Sequence, residues 1–173
     1  MKVTTYGTRG SCPVSNPMSL RYGGNTTCVR VESACLPAKT ALVVDAGSGF
    51  LPLSKQAISE FPNIALLFTH YHHDHTQGFP LAKHTYNPRA SFRIWGPVEH
   101  GDGPLEQLRT IMRSPQFPVD FEFVQQRVKV SRLDHVGSEV LVVHPIGGFA
   151  LVKLHTFEEA ERDEKQIAIG KGR

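Results

Sequence analysis

Short apolar runs alternate with turn-forming stretches along the chain, and most of the runs have the length of strands. Residues 2–6, 27–32, 40–45, 64–69 and 92–95 are rich in β-branched and apolar side chains and lie between Gly, Pro, Asn or Ser, so each reads as a strand. Similar patterns cover 124–130, 139–143 and 149–154. Thr27, Val29 and Val31 alternate with Cys28, Arg30 and Glu32, which predicts one buried and one half-polar face. ALVVD (41–45) and IALLFT (64–69) are continuous apolar runs, as expected of strands covered on both sides. Helical spacing is rarer. Residues 52–61 open on Pro52 and place Leu53, Ala57, Ile58 and Phe61 at helical intervals. Residues 105–112 set Leu105, Leu108, Ile111 and Met112 on one stripe that Pro115 stops, a face for packing against a core. The charged stretch 157–166 predicts an exposed terminal helix. With no repeat and no linker, residues 1–173 read as one α/β domain.

Composition narrows the function classes. A chain of 173 residues is long enough for one sizeable core, and fifteen glycines and twelve prolines are dispersed, which excludes disorder and low complexity. The net charge of +3 comes without a long basic run, so nucleic acid is an allowed partner but not an indicated one. No apolar run approaches the roughly 20 residues of a membrane span, and MKVTTYGTRG is no signal peptide, which makes a cytoplasmic protein the default. Cys12, Cys28 and Cys35 form an odd set without CxxC spacing; they read as small buried hydrophobes on or near strands. No GxxxxGK phosphate cradle and no GxSxG elbow occur, and Arg9 and Arg21 read as solvated cations or as contacts for an anion.

The chemistry is concentrated elsewhere. Four of the nine histidines fall within residues 70–75, directly after the apolar run 64–69. In extended backbone His70 and His72 point the same way, so two imidazoles can reach one ion. A turn after His72 swings Asp74 and His75 toward a neighbouring position, where they would begin a second site, while His73 points away. Nitrogen and carboxylate donors without thiolate suit zinc, manganese or iron.

His70-x-His72-x-Asp74-His75 resembles the HxHxDH signature of the metallo-β-lactamase-fold hydrolases. GTRGSCPV (7–14), RYGGNTTCVRV (21–31), VVDAGSG (43–49) and LLFTHYHHDHTQGFP (66–80) resemble the phosphodiesterase-like branch of that family. The branch includes the phosphoribosyl cyclic phosphate phosphodiesterases and the transfer-RNA 3′-end processing nucleases. The resemblance covers residues 1–97 and implies an αββα sandwich with two divalent metal ions, zinc foremost. His70 and His72 would hold the first, and Asp74 and His75 the second. A water activated between the ions would attack phosphorus in line, with Asp74 and His75 as the catalytic pair and Asp74 orienting the water or taking its proton. The substrate implied is a small phosphodiester or cyclic phosphate.

Around this motif Asp45 either supports an imidazole from behind or caps the turn before the 52–61 helix. Asn25 either belongs to a tight turn or reaches ligand, and Thr69 supports the site through its hydroxyl. Tyr71 and Phe79 read as packing residues or as stacking surfaces for a base or sugar. The family pattern also needs a later histidine, a bridging aspartate and a final histidine. Downstream His84, His100, His135, His144 and His155 are available, with Asp102, Asp120, Asp134 and Asp163. His144, in VLVVHPIGG, matches the later histidine best and equally fits a plain strand end; His135 fits less well. A bridging aspartate and last histidine are not evident, so the chain reads as C-terminally truncated, and a homodimer would cover the apolar sheet faces left bare. The alternatives are a thioester or lactone hydrolase on the same fold and a non-catalytic metal-binding fragment.

Overall fold

The computed structural model describes residues 1–133 together with the backbone of 139–144 and 148–153. In chain order the elements are β1 (Lys2–Gly7), β2 (Cys28–Glu32), β3 (Thr40–Val44), α1 (Phe50–Glu60), β4 (Asn63–Leu67), α2 (His73–Thr76), α3 (Gly78–Leu81), β5 (Ser91–Pro97), α4 (Pro104–Ile111), β6 (Val128–Leu133), β7 (Glu139–His144) and β8 (Gly148–Lys153). Strands β1 to β6 form one sheet in sequence order, antiparallel from β1 to β3 and parallel from β3 to β6. β7 and β8 pair as a separate antiparallel hairpin, with His144 opposite Gly148. The α/β class expected from the sequence is the class observed.

The registers sort the side chains onto two faces. Ala41, Ile64, Phe92 and Val128 lie in one row and Val43, Leu66, Ile94 and Val130 in the next. These rows join Phe50, Leu53 and Ala57 of α1, Phe79 of α3, and Leu108 and Met112 at the end of α4 in one buried cluster. The helices thus cover this face. Arg30 shares it, which is costly for a guanidinium unless its plane finds a partner; it lies over the Phe61 ring at 4.0 Å. The other face carries Val29, Val31, Leu42, Val44 and Leu67, all partly exposed.

Local sequence explains most boundaries. α1 starts two residues earlier than the pattern suggested, because Pro52 in the first turn removes an N–H that has no helical partner there. α4 begins at Pro104, and Gly103 N–H donates to the Glu106 carboxylate at 3.0 Å. Strand β6 corrects the expected 124–130 segment: residues 121–127 form two 3₁₀ turns, and pairing with β5 starts only at Val128. Val124, which opened the expected strand, is buried between those turns instead, as is Phe121 before it. Of the cysteines only Cys28, on β2, is buried; Cys12 and Cys35 are exposed in Pro-containing loops, correcting the expectation of three small core residues. The predicted helix 157–166 lies outside the described residues. No helix among the described residues is long and apolar enough to cross a membrane.

Parallel pairing from β3 to β6 brings the exits of β3, β4 and β5 to one edge of the sheet. Asp45 N–H continues the ladder to Leu67 at 2.9 Å, and Phe68 N–H continues it to Trp95 at 2.8 Å. The histidine motif leaves β4 at this edge, where open α/β sheets form crevices.

Candidate metal centre

Beyond Phe68 the backbone stays irregular and extended through His72, and the α2 turn starts at His73. That switch gathers the rings. His70 and His72 have centroids 4.5 Å apart, and His70 and His75 are 4.0 Å apart. Asp74 and His75 are neighbours on α2, with Asp74 Oδ2 3.4 Å from His75 Nε2. His73 is exposed and shares the opposite side of α2 with Gln77, lining a groove with Pro80, Leu81, Ile111 and Phe117.

Beneath the rings lies Asp45, which is 1% exposed. Its backbone is left-handed (φ 58°), a conformation aspartate tolerates better than most residues. Its carboxylate accepts the Thr69 N–H at 2.8 Å, the Thr69 hydroxyl at 2.9 Å, and His75 Nδ1–H at 2.8 Å. Of the two readings the sequence left open, these partners favour support of the imidazole over capping of α1. A carboxylate only accepts, so His75 carries its proton on Nδ1 and presents the Nε2 lone pair outward.

Asp74 is held from a distant loop. Ser11 N–H donates to its Oδ2 at 2.8 Å across 63 positions of sequence. That bond is the main reason its carboxyl titrates below the ordinary range, with the charge of His75 and His72 adding to it. Ser11 itself sits at φ 66°, which aims its N–H inward. Nothing in a lone serine signals this contact, because the donor is backbone.

A second layer is made of backbone crossings. Ala46 N–H donates to His75 O at 2.7 Å and Gly78 N–H to Ala46 O at 2.8 Å, tying the loop after β3 to the last turn of α2 and the start of α3. A Cβ on Gly47 would lie 2.1 Å from the Asp74 carbonyl oxygen, and one on Gly78 would lie 2.0 Å from the Gly47 oxygen. These glycines are required by close approach. Thr26, Ser48 and Gln77 complete the layer: Ser48 N–H donates to Thr26 Oγ1 at 2.8 Å, and Gln77 Nε2 donates to the same oxygen at 3.2 Å.

Other expected residues have different places. Asn25 accepts from the Ser48 hydroxyl at 3.1 Å and so braces the loop after β3; among the described residues no hydrogen bond joins it to a histidine. Tyr71 packs on Phe68 and donates to Pro97 O at 2.7 Å, with burial raising its phenol. Phe79 is fully buried between Phe50 and Phe92. Both are packing residues. His84 is buried beside Phe92, with Nε2 3.1 Å from Pro62 O, away from the motif. Arg9 donates to Cys12 O at 3.0 Å, and Arg21 lies over Tyr22. His144 ends β7, and its side chain lies outside the described residues, as do His135, His155, Asp134 and Asp163.

Two of the solved structures similar to this one illustrate the likeness. One is described as a new diphosphatase from the PhnP family: TM-score 0.49 and 15% identity, covering 81% of this chain and 53% of that one. The other is the metallo-beta-lactamase fold protein YhfI from Bacillus subtilis: TM-score 0.46 and 20% identity, covering 86% of this chain and 56% of that one. The chain spans about half the length of either. No protein-family model matches the chain, and no curated protein does.

Among the described residues no group of three or more His, Cys, Asp or Glu converges on one point as a finished metal cage. Pairs do fit. The 3.4 Å between Asp74 Oδ2 and His75 Nε2 is close to the separation of about 3.3 Å that two ligands, each ~2.0 Å from a shared tetrahedral ion, would have. Three imidazoles and a carboxylate are a donor set for a borderline divalent ion.

Proposed function

We propose that the chain is a metal-dependent hydrolase that cleaves phosphodiester bonds in a small phosphodiester or cyclic phosphate. His70 and His72 would hold one divalent cation and Asp74 and His75 a second, with zinc the first choice and manganese or iron the alternatives. His144 is a proposed further ligand. One observation carries this reading. With Nδ1–H of a neutral His75 donated to Asp45, its Nε2 lone pair and Asp74 Oδ2 lie 3.4 Å apart, a pair of acceptors spaced to share one cation.

Two divalent cations held there would supply a Lewis acid for the phosphoryl oxygens and a water with its pKa lowered to near neutrality. The chain's own residues do the rest. Asp45 keeps the His75 ring oriented, and Ser11 keeps Asp74 ionised and aimed. Asp74, through its remaining lone pairs, orients the attacking water and takes its proton.

Elemental analysis of the purified chain and parallel assays test this. About two zinc, manganese or iron ions per chain, reduced in His72→Ala, with turnover of bis(p-nitrophenyl) phosphate and none of p-nitrophenyl acetate, is the expected result. Acyl-ester turnover alone would move the substrate class to thioesters or lactones. Absence of stoichiometric metal would end the hydrolase reading.

A further inference from the structure

We infer that Thr69 is a positioning residue whose hydroxyl connects the Asp45 carboxylate to His70, so that one buried carboxylate sets the tautomers of two imidazoles. The geometry leaves little freedom. Thr69 Oγ1 lies 2.9 and 3.1 Å from the two oxygens of Asp45 and 3.0 Å from Nδ1 of His70. Two bare oxygens that close would repel, so the single hydroxyl proton belongs to the contact with Asp45. The hydroxyl oxygen then has only lone pairs for His70, whose Nδ1 must carry the hydrogen. Nε2 of His70 is left with its lone pair free, as Nε2 of His75 is through the direct bond of its Nδ1–H to Asp45 at 2.8 Å. The Thr69 backbone N–H, bonded to Asp45 Oδ1 at 2.8 Å, holds the arrangement in register independently of the side chain.

This rests on the reading of His70 as a ligand, but the tautomer is a property of the chain alone. The hydroxyl is therefore separable from the fold: Thr69 is exposed and lies outside the buried cluster, so Thr69→Val keeps the branched shape and removes only the donor and acceptor.

Multiple-bond ¹H–¹⁵N correlation spectra of metal-free protein near pH 8, where most imidazoles are neutral, read the tautomers directly. Wild type and Thr69→Ser should show His70 with hydrogen on Nδ1. In Thr69→Val and Thr69→Ala the His70 ring should relax toward a tautomer mixture while His75 is unchanged. Zinc affinity, measured by competition with a chromophoric chelator, should fall about 10–100-fold in Thr69→Val and recover to within about threefold in Thr69→Ser. An unaltered His70 tautomer in both hydroxyl-free variants overturns the inference. If the tautomer moves but neither wild type nor variant binds zinc, the positioning role stands and the ligand reading falls.

Discussion

Gly47→Ala puts a methyl group where two backbone segments cross. The added Cβ would stand 2.1 Å from the Asp74 carbonyl oxygen, 2.4 Å from Thr26 Oγ1 and 2.7 Å from Thr27 O. Two of those three atoms are backbone, so no side-chain rotation relieves the contact. Gly47 N–H is also bonded to Thr27 O at 2.8 Å, which prevents the loop after β3 from backing away cheaply. Overpacking of this kind costs about 1–3 kcal/mol, which for a domain of this size is a fall in Tm of about 2–12 °C. The strain acts on α2 through Asp74 itself, so zinc affinity should fall along with stability. Gly10→Ala is the control: a Cβ there meets nothing within 4 Å. Urea unfolding at unchanged m value, with chelator competition for zinc, measures both effects. A Gly47→Ala protein within about 0.5 kcal/mol of wild type, the range of an ordinary surface substitution, would refute the crossing as a constraint on the site.

Further outcomes follow from the contacts around the site and from His84. Asp45→Asn keeps the shape but replaces an acceptor by a donor against His75, and zinc affinity should drop about 10–100-fold. Asn25→Ala should cost about 1 kcal/mol of stability through Ser48 and leave zinc affinity unchanged; equal losses in the two variants would erase the distinction between them. Ser11→Gly should hold or raise stability, because it removes the Cβ from a φ of 66° while keeping the N–H that reaches Asp74; a marked loss of metal affinity would show that the side chain matters. Burial lowers the His84 pKa from its ordinary 6.5, so below that pH the unfolded chain takes up more protons there than the fold. Stability due to neutral His84 is complete above about pH 6.5 and declines as pH falls toward the folded value. Tm profiles from pH 8 to 5 should therefore slope less in His84→Phe than in wild type, and parallel profiles would remove His84 from the account.

Much of this was legible from residue order alone. Continuous apolar runs marked β3 and β4, but the expected cover on both sides is met on one: Leu42, Val44 and Leu67 stay partly exposed among the described residues; a histidine cluster abutting β4 marked the candidate site. Asp45 was legible because it ends an apolar run and precedes a glycine pair. Ser11 was not: its contribution is a main-chain N–H from a loop 63 positions away, and side-chain identity carries no record of it. Asn25 stood close to the right place, but its partner is Ser48, in the brace under the histidine motif, rather than a histidine. The 124–130 segment misled because Val124 satisfies burial between two 3₁₀ turns, a solution that short apolar patterns do not distinguish from a strand.

X-ray absorption at the zinc edge of the zinc-loaded chain tests the central claim most directly. The account predicts a shell of nitrogen and oxygen at about 2.0–2.1 Å with the multiple-scattering pattern of imidazole. A sulfur shell near 2.3 Å, which would bring Cys12 or another thiol to the metal, or a spectrum without imidazole scattering, would contradict it.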